Sequence, residues 1–149
     1  LTIAGTQGSA RPRPAVKSTE TDTQVSKAGM PGQAIALDLA RLLIRDPSRT
    51  LLLRVCGDSM LGAGIRHGDL LVVERDRSAT SGSIVVARLG ERFTLKRLRR
   101  RAGRCWLEAA HPAYPALDLE ITARQQGLTA AQVQVWGVVV HVIRTLRLD

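Results

Sequence analysis

The chain has 149 residues, 44% hydrophobic and only 3% aromatic, which suits one domain with an aliphatic core plus an arm. Its 22 Lys and Arg against 13 Asp and Glu leave a formal charge of +9, a balance that fits DNA, an acidic partner protein, or solubility alone. No run of eighteen apolar residues and no basic-apolar-small leader occurs, so no membrane helix and a cytoplasmic location are expected. Cys56 and Cys105 are too few for a disulfide framework and lack metal-ligand spacing. Both are expected to be reduced, with Cys56 a small buried filler.

In chain order, residues 1–27 are rich in Thr, Ser, Gln, Gly and Pro without apolar periodicity. Such a segment buries too little surface to offset its ordering entropy, and a flexible arm is expected. It carries no helix-turn-helix pattern. Ser26-Lys27-Ala28-Gly29-Met30-Pro31-Gly32 reads as a linker by composition. The same small residues would also let a backbone thread a narrow cleft, with Pro31 keeping its predecessor extended. Asp38 is placed to cap a short helix through Leu39, Leu42 and Leu43 that ends before Pro47. Strands are predicted at about 50–56, 69–76, 83–90, 92–98, 104–109, 117–122 and 133–144, separated by turns at Gly82, Gly90 and Gly103. Arg97, Arg99, Arg100, Arg101 and Arg104 surround Ala102-Gly103, the expected hairpin tip; a solvated turn and an electrostatic docking patch are about equally good readings. His111-Pro112-Ala113-Tyr114-Pro115 is a loop, His67 lies in a turn and His141 in a strand. None pairs by spacing with a serine, although triad partners can be distant in the chain.

Two features carry chemistry. Leu51, Leu52, Leu53 and Val55 form an apolar strand that runs directly into Gly57-Asp58-Ser59. A serine just past a strand end, beside glycine, can present its hydroxyl and free backbone N–H groups to one point, as a nucleophile beside an oxyanion hole requires. On its own the tripeptide is more often a plain turn. The second feature is Lys96. The chain has three lysines, and Lys17 and Lys27 lie in the arm, so Lys96 is the lone lysine of an Arg-rich folded part. Strand alternation places Thr94, Lys96 and Leu98 on one face and Phe93, Leu95 and Arg97 on the other. A desolvated lysine can lose its proton and act as a base, which a guanidinium cannot. Snorkelling into solvent is the ordinary alternative.

Taken together, Cys56-Gly57-Asp58-Ser59-Met60, Gly64-Ile65, Gly68-Asp69-Leu70-Leu71-Val72-Val73, Gly82 to Ala87 and Phe93 to Leu98 resemble the LexA/UmuD group of self-cleaving serine peptidases in order and spacing. Trp136 to Arg144 is similar to the final strand of that fold, and the resemblance covers roughly residues 28 to 145. Within the group the chain looks most like UmuD. The resemblance implies a mostly β fold: a curled, partly open antiparallel β domain with one short helix and a flexible N-terminal arm. It implies Ser59 as nucleophile, Lys96 as base, and the N–H groups of Asp58 and Ser59 as oxyanion donors. The Ala28–Gly29 bond, two residues ahead of Pro31, is similar to the family's scissile site. That bond divides the chain into an arm, 1–28, and a peptidase domain, 29–149. His111 stands where Asn is more usual. No cofactor and no metal are implied.

As partners the resemblance implies a second copy in a homodimer, a RecA filament on single-stranded DNA as activator, and a Y-family, UmuC-like polymerase served by the trimmed form in the SOS response. Direct DNA contact is left open. The alternatives are a LexA-like or phage-type repressor, which needs a DNA-reading domain not seen in residues 1–27, and a non-catalytic interaction module of the same fold. A signal-peptidase-like enzyme shares the Ser/Lys chemistry but would need a membrane anchor.

Overall fold

The computed structural model describes residues 38–147. The expected arm and the Ala28–Gly29 bond lie outside the described residues. Seven strands form one sheet in the order β1-β2-β7-β3-β4-β5-β6. They are β1 (Thr50–Arg54), β2 (Leu70–Glu74), β3 (Ile84–Leu89), β4 (Arg92–Arg101), β5 (Arg104–Glu108), β6 (Leu117–Asp118) and β7 (Val133–Ile143). Every neighbouring pair is antiparallel. The mostly β, open antiparallel architecture expected from the sequence is the one observed.

The last strand is an interior one, third of the seven. β7 inserts between β2 and β3, and it carries an irregularity against each neighbour. Val72 and Val73 face His141 and Val139, which leaves Val140 as an extra residue. Val86 and Ala87 face Gly137 and Val135, which leaves Trp136 extra. Such bulges bend the strand and increase its twist, and two of them curl the sheet around its own middle.

Strands such as Leu71-Val72-Val73 and Val85-Val86-Ala87 are apolar without alternation because both sheet faces are covered. One face buries Met60, Ile65, Leu71, Val73 and Val86, with Trp136, Leu53 and Leu95 against them. The other buries Val85, Ala87, Leu98, Leu107 and Val138, with Leu117 and Leu119 against them. Where β7 crosses β2 there is no room for a side chain. A Cβ on Gly137 would stand 2.5 Å from Val73 Cγ1 and 3.3 Å from the Glu74 carbonyl oxygen. Val73 is fully enclosed and cannot swing away. Gly137→Ala is therefore expected to destabilise the fold by about 2 kcal/mol, the middle of the range for overpacking a tight core. Urea unfolding checks this through a lowered midpoint with an unchanged slope.

Helix α1 (Leu39–Leu43) starts where expected, with the Asp38 carboxylate accepting from the Arg41 N–H at 3.2 Å. The predicted strand at 117–122 needs correction. Only Leu117–Asp118 is strand, and a second helix, α2 (Leu119–Gln125), follows. The alternation of Leu117, Leu119 and Ile121 with acidic residues imitates a strand. Asp118 overrides it by accepting from the N–H groups of Glu120 and Ile121, each at 3.0 Å, as a helix cap.

The β4–β5 hairpin turns at Ala102-Gly103, both at positive φ, as two-residue hairpin loops favour. Its arginines are largely tied down. Arg99 pairs with Glu108 at 2.9 Å, Arg104 with Asp118 at 2.6 Å, and Arg100 donates to the Ala79 carbonyl at 3.0 Å. These three contacts join β4 to β5, β5 to β6, and the hairpin to the loop before β3. Among the described residues no helix is long and apolar enough to cross a membrane.

Candidate active site

Beyond Arg54 the chain of β1 stays extended, because Val55 exchanges two backbone bonds of 2.9 Å with Gly68 and Asp69. Gly57 then takes φ +108°, a conformation that L side chains resist, and the chain turns out of the sheet. Met60 turns it back in: its side chain is 2% exposed and sits in the core with Ile65. Ser59 is thus held between a glycine turn and a buried anchor. The 109–115 segment braces it from the side, with Ala110 N–H donating to Ser59 O at 2.8 Å and Gly62 N–H donating to Ala110 O at 2.7 Å. This approach needs Gly62, since a Cβ there would lie 2.8 Å from that carbonyl oxygen.

Lys96 arrives from the middle of β4, opposite Val85 of β3. It is 7% exposed, and its Nζ lies 3.0 Å from Ser59 Oγ. Burial pushes the amine below its ordinary value of 10.5. Among the described residues no carboxylate forms an ion pair with it. A buried amine without a counter-ion loses stability in its charged form, so the site favours a neutral amine next to a hydroxyl. The Asp58 and Ser59 N–H groups donate to no backbone carbonyl among the described residues.

A groove of about 190 Å³ lies between the segments that lead to this pair, lined by Leu53, Val55 and Cys56 on one side, Phe93, Thr94 and Leu95 on the other, and Leu71 and Val86; Ser59 and Lys96 do not line it themselves. Among the described residues β1 has a strand neighbour on one side only, and β4 pairs with β5 only from Arg97 onward. Both groove walls therefore carry backbone groups not used in the sheet, the setting in which an extended peptide adds as a strand.

A model of the Peptidase S24-like family matches residues 15–140. The chain belongs to that family. Among curated relatives it is similar to the LexA repressor of Paracidovorax citrulli, 51% identical over 69 residues, which are 46% of this chain and 31% of the relative. The LexA repressor 1 of Pseudomonas syringae pv. tomato is 44% identical over 75 residues, 50% of this chain and 37% of the relative. The LexA repressor of Pseudomonas aeruginosa strain LESB58 is 40% identical over 80 residues, 54% of this chain and 39% of the relative. The matched stretch spans about a third of the length of these relatives.

Within this S24-type domain the three histidines are placed differently. His67 Nδ1 accepts from the Gly57 N–H at 3.2 Å, so it braces the turn before Ser59. His141 lies in β7, opposite Val72. His111 is buried, its Nδ1 accepting from the Ala113 N–H at 3.0 Å and its Nε2 lying 4.0 Å from Asp58 Oδ2. None bonds Ser59 Oγ. Cys56 is exposed at the groove wall, not the buried filler expected, because the chain leaves the sheet before it and its side chain has no facing strand.

One partner went unread in the sequence. Tyr114 donates its hydroxyl to Asp58 Oδ1 at 2.7 Å, and its ring centre lies 5.6 Å from Lys96 Nζ. Tyr114 is the chain's single tyrosine, and 56 positions separate it from Asp58, so nothing in the local sequence joins the two.

Proposed function

We propose that this S24-type chain is the self-cleaving part of a LexA-type repressor, a serine peptidase that cuts its own Ala28–Gly29 bond with a Ser59/Lys96 dyad. Neutral Lys96 takes the Ser59 proton as the oxygen attacks the Ala28 carbonyl carbon. The oxyanion is received by the N–H groups of Asp58 and Ser59. Lys96 returns the proton to the departing Gly29 nitrogen, leaving Ala28 as an ester on Ser59. Water, deprotonated by the same amine, then hydrolyses that ester. The observation that carries this reading is the 3.0 Å separation of Lys96 Nζ from Ser59 Oγ with the amine buried. The groove supports it, since an extended segment with small residues at Ala28 and Gly29 can add beside free strand edges that lead to Ser59 and Lys96.

The relatives named above are repressors, so the polymerase-accessory role expected from the sequence gives way to the repressor reading. In that reading cleavage parts the peptidase domain from the segment before residue 29 and relieves repression. A homodimer and stimulation by a RecA filament on single-stranded DNA belong to the same proposal. Incubation at alkaline pH, or with activated RecA, is expected to yield a fragment whose N-terminal sequencing begins at Gly29, with Ser59→Ala intact. An intact parent chain, or the same fragment from Ser59→Ala, would count against the peptidase. For the repressor of which this chain would be the self-cleaving part, a gel shift with operator DNA is expected to weaken on cleavage; DNA binding indifferent to cleavage would return the accessory reading.

A further inference from the structure

Three consecutive residues of the nucleophile turn are each held by a different residue, one from the turn before β2 and two from the 109–115 segment. Gly57 is held by His67, Asp58 by Tyr114, and Ser59 by Ala110. The first and third bonds grip backbone atoms. Only the Tyr114 bond grips a side chain, and it joins a hydroxyl to a carboxylate at 2.7 Å, the charge-assisted kind. Tyr114 is itself steadied from behind by the buried His111, whose ring meets it edge-on at 5.3 Å and 79°. The bond holds Asp58 below the usual carboxylate range and raises the Tyr114 phenol above 10.0. Both shifts favour the ionised acceptor and the protonated donor that the bond needs.

We propose that Tyr114 is a positioning residue for self-cleavage: its hydroxyl holds Asp58, and through it the Asp58 and Ser59 N–H groups, where the negative oxygen of the tetrahedral intermediate forms. This rests on the peptidase reading above. Tyr114 touches neither Ser59 Oγ nor the reacting carbonyl and acts through Asp58. Removing an oxyanion donor outright costs about 10²–10³ in rate, so freeing its mount while leaving it in place costs about tenfold.

The test measures self-cleavage of the full chain between pH 7 and 10.5. Tyr114→Phe keeps the ring beside Lys96 and loses the hydroxyl. It is expected to cut about tenfold more slowly at every pH, with the midpoint of alkaline activation unmoved. Asp58→Ala breaks the same bond from the other end, and the double variant is expected to be no slower than the slower single one, as for two halves of one interaction. A general loosening of the fold would give additive losses and a lowered melting temperature. A Tyr114→Phe rate within about twofold of the parent, additive losses, or a displaced midpoint would each overturn the proposal. A parent chain that never cuts would overturn the peptidase reading and this one with it; a parent that cuts beside an equally fast Tyr114→Phe overturns this one alone.

Discussion

Lys96→Arg is expected to stop self-cleavage as completely as Lys96→Ala, a loss of about 10³-fold, within the 10²–10⁴ range of a positioned general base. Charge alone would let arginine substitute. The proposed reaction instead needs an amine that can give up its proton, and a guanidinium does not. The site is arranged for that loss: Lys96 is 7% exposed, stands 3.0 Å from Ser59 Oγ, and is held below 10.5 by burial. Since the neutral amine is the active form, the parent rate should climb about tenfold per pH unit until the folded-state pKa and level off above it. The same shift acts on stability. The unfolded chain holds the lysine proton more tightly than the folded one, so unfolding takes up a proton in the window just below 10.5, and folding gains as pH rises through it. The appearance of fragment with time from pH 7 to 10.5 checks the first half, and urea midpoints over the same range check the second. An active Lys96→Arg, or a rate flat across that range, would remove the lysine from the mechanism.

Arg144→Ala should cost about 3 kcal/mol of stability, the lower end for breaking a buried ion pair from one side, since Arg144 itself is partly exposed. Asp69 is 2% exposed and receives a two-pronged grip, Arg144 Nε on Oδ1 at 2.7 Å and a terminal nitrogen on Oδ2 at 2.6 Å. The Arg66 N–H adds a third bond at 2.8 Å, and Arg144 also donates to the Gly64 carbonyl at 2.7 Å. Removing the guanidinium leaves a carboxylate enclosed without its counter-charge. The Arg144 bond, more than any other cause, lowers Asp69 from 3.8 to about 2. A depressed carboxylate stabilises the fold fully above its unfolded value and loses that contribution as pH falls from about 4 to about 2. Parent urea midpoints should therefore fall across that interval, and those of Arg144→Ala should start lower and fall less. The loss should reach Ser59 too, because the Asp69 and Gly68 backbone pairs with Val55 and the neighbouring His67 braces Gly57. An Arg144→Ala chain as stable as the parent at pH 7 would show that Asp69 finds water or another donor.

The difference between these two sites shows what a sequence exposes. Ser59 stands out because a strand, a glycine and a turn lie side by side in the chain, and Lys96 because it is alone among arginines. Asp38 and Ala102-Gly103 are read correctly for the same reason: a cap and a hairpin turn are set by adjacent residues. Asp69 and Arg144 carry no such signal. They are 75 positions apart, and each is an ordinary charged residue until β7 is laid beside β2. Tyr114 is hidden similarly, 56 positions from Asp58. The residues of α2 mislead outright, since their alternation fits a strand as well as a capped helix, and only the two backbone bonds to Asp118 decide.

By itself, then, the order of residues determined which chemical groups this protein has at its disposal, where the chain turns, and that β structure prevails, because those follow from local preference and from likeness to other chains. The tertiary structure alone decided that the final strand lies inside the sheet, between β2 and β3, and that the curl it causes brings β4 against the turn after β1. It also decided that the amine's pKa lies below its ordinary value. Burial belongs to no residue: it is set by whatever the rest of the chain packs around Lys96, and no reading of neighbours along the backbone contains it.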